Sequence, residues 1–211
     1  FLGVIENIKI LFPLVAVLGI VLSVTGDASL LHIFSFTIAP ILSVLATLCL
    51  RKETLSKWYK YKISLPVKRK TIVQSYYISH LCWCLVGMLT VTLFMSVTVI
   101  GHGNQYFYYG FRDAVTLILG GGVLSVFVAS VFYPLYYYLG SEKIEITAIL
   151  SLAISIGFLV GISMIINIVV GDKQISDIEY YMSLLMILGI TGAAFLGSYF
   201  PSVYIFQKKE Y

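Results

Sequence analysis

Charge is scarce in this sequence. Of its 211 residues, 11% are Asp, Glu, Lys or Arg, where a soluble globular domain carries about 25%. Hydrophobic residues make up 59%, more apolar surface than a soluble chain of this length can bury, so lipid is the expected solvent for much of it. Cysteine is also rare. Cys49, Cys82 and Cys84 are the three present, none in a polar stretch, and the odd count does not suggest a disulfide framework. They read as small apolar residues on helices. A metal site built from Cys82, Cys84 and His80 would draw every ligand from one helix, with no second cluster to close it.

Catalytic constellations are missing as well. The three histidines, His32, His80 and His102, fall on different predicted elements, and Glu142 and Glu145 have no histidine at helical spacing, so an H-E-x-x-H metalloprotease is excluded. Ser79 beside His80 is sequence adjacency, not a nucleophile with a base. Gly120, Gly121 and Gly122 are not followed by Lys-Ser or Lys-Thr, so they form no phosphate loop. If the protein moves a substrate uphill, another chain supplies the energy. Net charge is +4 and most of the basic residues sit in one block, which leaves no basic face for nucleic acid.

What the sequence has is long apolar runs. A transmembrane helix needs about 20 mostly apolar residues, and a charge at mid-membrane costs about 2.5–3.5 kcal/mol. Runs that meet this description lie at about 8–25, 30–50, 71–100, 113–139, 145–170 and 179–206. The expected architecture is all-α: one polytopic membrane domain, residues 1–211, with six transmembrane helices. Glu6, Lys9, His32, Asp113, Glu145 and Glu179 lie at or near the ends of these runs, and His80 is the charged or histidine side chain well inside one. A proton relay needs more titratable groups at depth, so His80 reads as a helix-packing residue. The chain opens on Phe1 rather than Met, and a segment ahead of it is expected. The first run does not read as a cleaved signal, because no small-residue cleavage site follows it.

The loops set the orientation. Arg51, Lys52, Lys57, Lys60, Lys62, Lys68, Arg69 and Lys70 lie between the second and third runs, opposed by Glu53 alone. The positive-inside rule makes that loop cytoplasmic. Alternation then puts Lys9, Lys143, Lys208 and Lys209 inside, with Arg112 and Lys173 outside. Both termini are therefore expected in the cytosol. Trp58 and Tyr59, Tyr106 to Tyr109, Tyr136 to Tyr138, and Tyr180 and Tyr181 gather near run boundaries, as interfacial aromatic belts do. Small residues recur every fourth position at Gly121, Ser125 and Ala129, at Ala153, Gly157 and Gly161, and at Gly189, Ala193 and Gly197. Such stripes let helix backbones approach closely.

The segment 51–70 is the informative one. Leu55, Trp58, Tyr59 and Ile63 share one helical face, basic residues fill the other, and Glu53 and Lys57 form an i,i+4 pair in the favoured order. A short amphipathic helix on the cytoplasmic membrane surface is expected, ended at Leu65 by Pro66. Pro66 itself suits the first turn of the next helix.

The pattern Glu53, Lys57, Trp58, Tyr61, Leu65, Pro66, Arg69, Lys70, Ile72, Val73, Ser75 and Tyr77 resembles the signature of small type-2 ABC exporter permeases. These come mostly from Gram-positive bacteria and include the phenol-soluble-modulin exporter group. The family often has an acidic pair where this chain has Lys52 and Glu53, and a lysine where it has Tyr76.

The resemblance implies a permease in the bacterial cell membrane. It would pair with a second permease subunit, as homo- or heterodimer, and sit on two copies of an ABC ATPase that carries the ATP and magnesium. This chain would hold no cofactor or metal and have no catalytic residue. The surface helix would be the coupling helix, with Glu53, Lys57, Trp58, Tyr59, Tyr61, Pro66 and Arg69 as ATPase-coupling residues. An amphipathic, membrane-active peptide, such as a peptide toxin, is the implied substrate. Two other readings stay open: a lipid or drug exporter, and a non-transporting membrane protein such as a sensor or an immunity partner.

Overall fold

A computed structural model describes residues 2–25, 28–56, 66–103, 110–170 and 176–208. The described residues form six α-helices: α1 (Leu2–Thr25), α2 (Ala28–Leu55), α3 (Arg69–His102), α4 (Phe111–Leu139), α5 (Ile144–Val170) and α6 (Asp177–Lys208). A 3-10 turn, Ser141–Lys143, leads into α5. No strand occurs among the described residues. Each expected apolar run lies inside one helix. The helices at α3, α4, Ser141–Ile166 and α6 are long and apolar enough to cross a membrane, while α1 and α2 carry shorter apolar stretches, Phe12–Val24 and Ser29–Val44.

The helix ends follow from local chemistry. Gly103 takes φ 66° after α3 and its N–H donates to the Val99 carbonyl at 2.9 Å, a left-handed C-terminal cap that favours glycine. Gly140, at φ 92° and ψ 165°, ends α4 with its N–H on the Tyr136 carbonyl at 3.0 Å, a positive φ that favours glycine. At the start of α6, the Ser176 N–H and hydroxyl both donate to Glu179 Oε2 at 2.9 Å, a capping box.

The chain divides into two compact units, Phe1–Leu65 with Ser75–Ser125, and Pro66–Gln74 with Val126–Tyr211. In the first, Val15, Phe34, Ile38, Leu42, Val91 and Met95 form the buried core. Phe34 and Phe94 meet edge to face with centroids 5.8 Å apart. Close approach needs glycine here. A Cβ added at Gly87 would lie 2.6 Å from Ala39 Cα, and one at Gly121 would lie 2.9 Å from the Phe36 carbonyl oxygen. That carbonyl is the one that Pro40, which has no N–H, leaves without its helical donor, so Gly121 packs where the α2 ladder is open.

In the second unit, Phe132 and Tyr133 are fully buried. Phe127 stacks on Phe158 with centroids 4.3 Å apart, and Tyr137 packs against Phe206 at 5.2 Å. Tyr138 stands exposed, as an interfacial ring would, but Tyr137 is a core residue rather than part of the expected belt. In the first unit, α3 displays Leu85, Leu89, Leu93, Val97 and Ile100 outward, an apolar stripe at helical spacing.

Candidate functional site

The expected coupling segment falls partly outside the described residues: Lys57, Trp58, Tyr59, Tyr61 and everything else from 57 to 65. Its two ends are described. α2 does not stop at 50 but continues to Leu55, so Glu53 belongs to the last turn of α2 instead of opening a separate helix. The cause is local: no Gly or Pro occurs between Pro40 and Leu55, and Leu50, Arg51, Lys52 and Glu53 are all good helix formers. Pro66 likewise lies ahead of α3, not in its first turn. Residues 66 and 67 are bends, and the Thr71 N–H donates to the Lys68 carbonyl at 2.9 Å where the helix begins.

Two side-chain bonds organise these ends. Within the first unit, the Tyr76 hydroxyl donates to Glu53 Oε2, a charge-assisted bond from α3 to the end of α2. Within the second, Arg69 Nη1 donates to the Gln207 carbonyl at 3.0 Å. The last four carbonyls of a helix have no intrahelical donor, so Arg69 caps the C-terminal end of α6. Of the expected coupling residues, Glu53 and Arg69 are thus held by opposite ends of the segment, in different helical contexts.

A buried polar cluster lies farther along the first unit. The Ser125 hydroxyl donates to Ser43 Oγ at 2.7 Å, and the Ser43 hydroxyl donates to the Pro40 carbonyl at 2.9 Å. His80 Nε2 is 3.1 Å from the Ser125 carbonyl, which can only accept, so the contact places a proton on Nε2. His80, Ser125 and Ser43 are each 1% exposed or less. The cluster joins α2, α3 and α4 by hydrogen bonds, which suits the packing role read for His80. No group of three or more His, Cys, Asp or Glu placed to hold a metal occurs among the described residues.

The small-residue stripes separate into two kinds. Gly121, Ser125 and Ala129 are buried. By contrast, a Cβ added at Gly157, Gly161, Gly189 or Gly197 would meet nothing within 4 Å, and Ala193 is exposed. Inside the chain α5 buries another line, Thr147, Ser151 and Ser155, each 0% exposed. Each of these hydroxyls donates to the carbonyl four residues back, at 2.6–2.8 Å. On α6 the buried set is Thr191, Phe195, Ser202 and Phe206. Each buried line is offset from its glycine stripe by two residues, a turn of about 200° around a helix with 3.6 residues per turn. The glycines therefore face away from the chain's own core. The hydroxyl line on α5 escaped sequence reading because serine and threonine suggest solvent. Their regular fourfold spacing was the available signal.

The family profile described as ABC-2 family transporter protein matches residues 2–207. Neither the curated proteins nor the solved structures yield a match.

Proposed function

The chain belongs to the ABC-2 transporter family, and on that premise we propose that it is the permease of an exporter for amphipathic, membrane-active peptides. Permeases of this family are membrane components that work with a separate ABC ATPase. In the proposed arrangement residues 1–211 form a single permease domain of six spans. Both termini lie in the cytosol of a bacterium. ATP and magnesium bind the partner ATPase, in two copies. The basic residues of 51–70 set the orientation.

The observation that carries the coupling part is the bond from Tyr76 to Glu53. It ties the helix that enters residues 57–65 to the helix that leaves them. A push on that segment by the ATPase would then be passed to α2 and α3 together rather than absorbed in a loose connection. Trp58, Tyr59 and Tyr61 would supply the apolar anchor, with Lys57 beside them. The outward stripes of Gly157, Gly161, Gly189, Ala193 and Gly197 support a second permease subunit, because they offer close backbone approach to a partner helix. Open apolar faces on α3, α5 and α6 suit a cargo that enters sideways from the inner leaflet.

The experiment is export from inside-out vesicles that hold the chain with its ATPase. ATP-dependent uptake of a fluorescent amphipathic peptide, abolished by a hydrolysis-dead ATPase, is the expected result. ATP-dependent movement of a lipid or drug with none of the peptide would replace the substrate class and keep the permease.

A further inference from the structure

We propose that the cytoplasmic end of α6, with the start of α3, is a binding site for an anionic phospholipid. The site lies within the second compact unit. A groove of about 500 Å³ is lined by Lys70, Tyr199, Phe200, Pro201, Tyr204 and Gln207. Its walls are largely apolar and open outward, with Phe200 71% and Tyr204 58% exposed. Its rim is cationic. Lys70 is exposed beside it, and Lys208 Nζ sits 4.4 Å from the centre of the Tyr204 ring. Arg69 holds the two helices in place through the Gln207 carbonyl. Among the described residues, no acidic residue lines the groove.

The charge arrangement calls for an anion. α3 opens with Arg69 and Lys70, preceded by Lys68, and has no acidic residue in its first turn. Positive side chains at a helix N-terminus add to the positive end of its dipole, an unfavourable arrangement that a bound anion relieves. Lys70 makes no hydrogen bond or ion pair with another described residue. The neighbouring apolar wall selects a lipid over a free anion, since the groove stands at the ends of two long apolar helices. The phosphate would sit between Lys70 and Lys208, and an acyl chain would run along Phe200 and Tyr204. Basic pockets between transmembrane helices on the cytoplasmic side bind acidic headgroups in this manner. The site rests on the proposed membrane placement and orientation, and not on what the chain transports.

The test uses the full chain in neutral detergent, titrated separately with phosphatidylglycerol, phosphatidylcholine and inorganic phosphate. Thermal unfolding and native mass spectrometry of retained lipid are the readouts. Phosphatidylglycerol is expected to bind saturably and raise the unfolding midpoint, with phosphatidylcholine much weaker and phosphate inert. Lys70→Gln and Lys208→Gln should each weaken phosphatidylglycerol by about fivefold without changing the lipid-free midpoint. Lys70→Arg should retain it, as should Lys143→Gln, which removes a cation from the 3-10 turn. Equal binding of the two lipids, stabilisation by inorganic phosphate alone, or unchanged affinity in both Gln variants would overturn the proposal. So would a Lys70→Gln variant that keeps its lipid but loses the ATPase, because the patch would then be a protein contact.

Discussion

Tyr76 donates its hydroxyl to the Glu53 carboxylate, so a residue two turns into α3 holds the last turn of α2. Glu53 belongs to the pattern that carries the resemblance, whereas Tyr76 is a departure from it. A tyrosine and a carboxylate here make a neutral-to-charged hydrogen bond. Such a bond contributes about 1.5–3 kcal/mol when well shielded, and less when partly open to water. Tyr76→Phe removes the hydroxyl and keeps the ring. It is expected to lower stability by about 1 kcal/mol. The check is a double-mutant cycle with Glu53→Gln, read by thermal unfolding. Coupling between the two changes supports the bond, and strict additivity refutes it.

The glycines should behave in two opposite ways. Gly87→Ala and Gly121→Ala push a methyl into backbone at 2.6 Å and 2.9 Å, and each should cost about 1–3 kcal/mol in unfolding of the isolated chain. Gly157→Ala and Gly189→Ala meet open space. They should leave that unfolding unchanged or raise it by up to about 1 kcal/mol. Gly157→Leu and Gly189→Leu should instead reduce cross-linking between two permease subunits. If the leucine variants cross-link like the parent, the second subunit does not use these stripes.

Ser125→Ala removes the hydroxyl that joins Ser43 and His80. Interhelical hydrogen bonds in membrane proteins contribute about 0.6 kcal/mol on average and about 1.7 at most. A loss in that range is expected, with no change in ATPase association, measured by unfolding and by pull-down. Loss of association at unchanged stability would give the cluster a role beyond packing.

Orientation is open to a labelling test. Single cysteines at Ser64 and Asn104, in a background without native cysteines, should react from opposite sides of intact cells, Ser64→Cys only from the cytosol. If both react with an impermeant reagent added outside, the six-span arrangement is wrong.

Much of the helical order was legible in the sequence, because apolar runs bounded by charge, Gly and Pro leave few alternatives. α4 illustrates this: the run 113–139 lies within Phe111–Leu139. Helix ends beyond the apolar run were less legible. Hydropathy stops at Leu50, whereas the helix continues through Arg51 to Leu55, since propensity rather than hydropathy governs a helix beyond its apolar run. The pairing of Tyr76 with Glu53 was not legible, because it joins positions on two helices and no local pattern encodes it. The spacing of Gly157 and Gly189 marks a smooth stripe on each helix, but periodicity cannot tell which of two opposite faces turns toward the chain's own core. Thr147 and Ser151 resolve that question in the structure.

The central claim is that this chain is driven by a separate ATPase through the segment between α2 and α3. The most direct measurement is pull-down of the ATPase, with its hydrolysis rate, for Trp58→Ala, Glu53→Ala and the control Ser56→Ala. Truncating a large anchor at an interface often costs about 2 kcal/mol or more of binding. The account predicts that Trp58→Ala inserts and expresses normally yet weakens association at least tenfold or uncouples hydrolysis from export. Glu53→Ala should uncouple as well, by releasing Tyr76, and Ser56→Ala should match the parent. Parental ATPase binding and export in both variants would contradict the account.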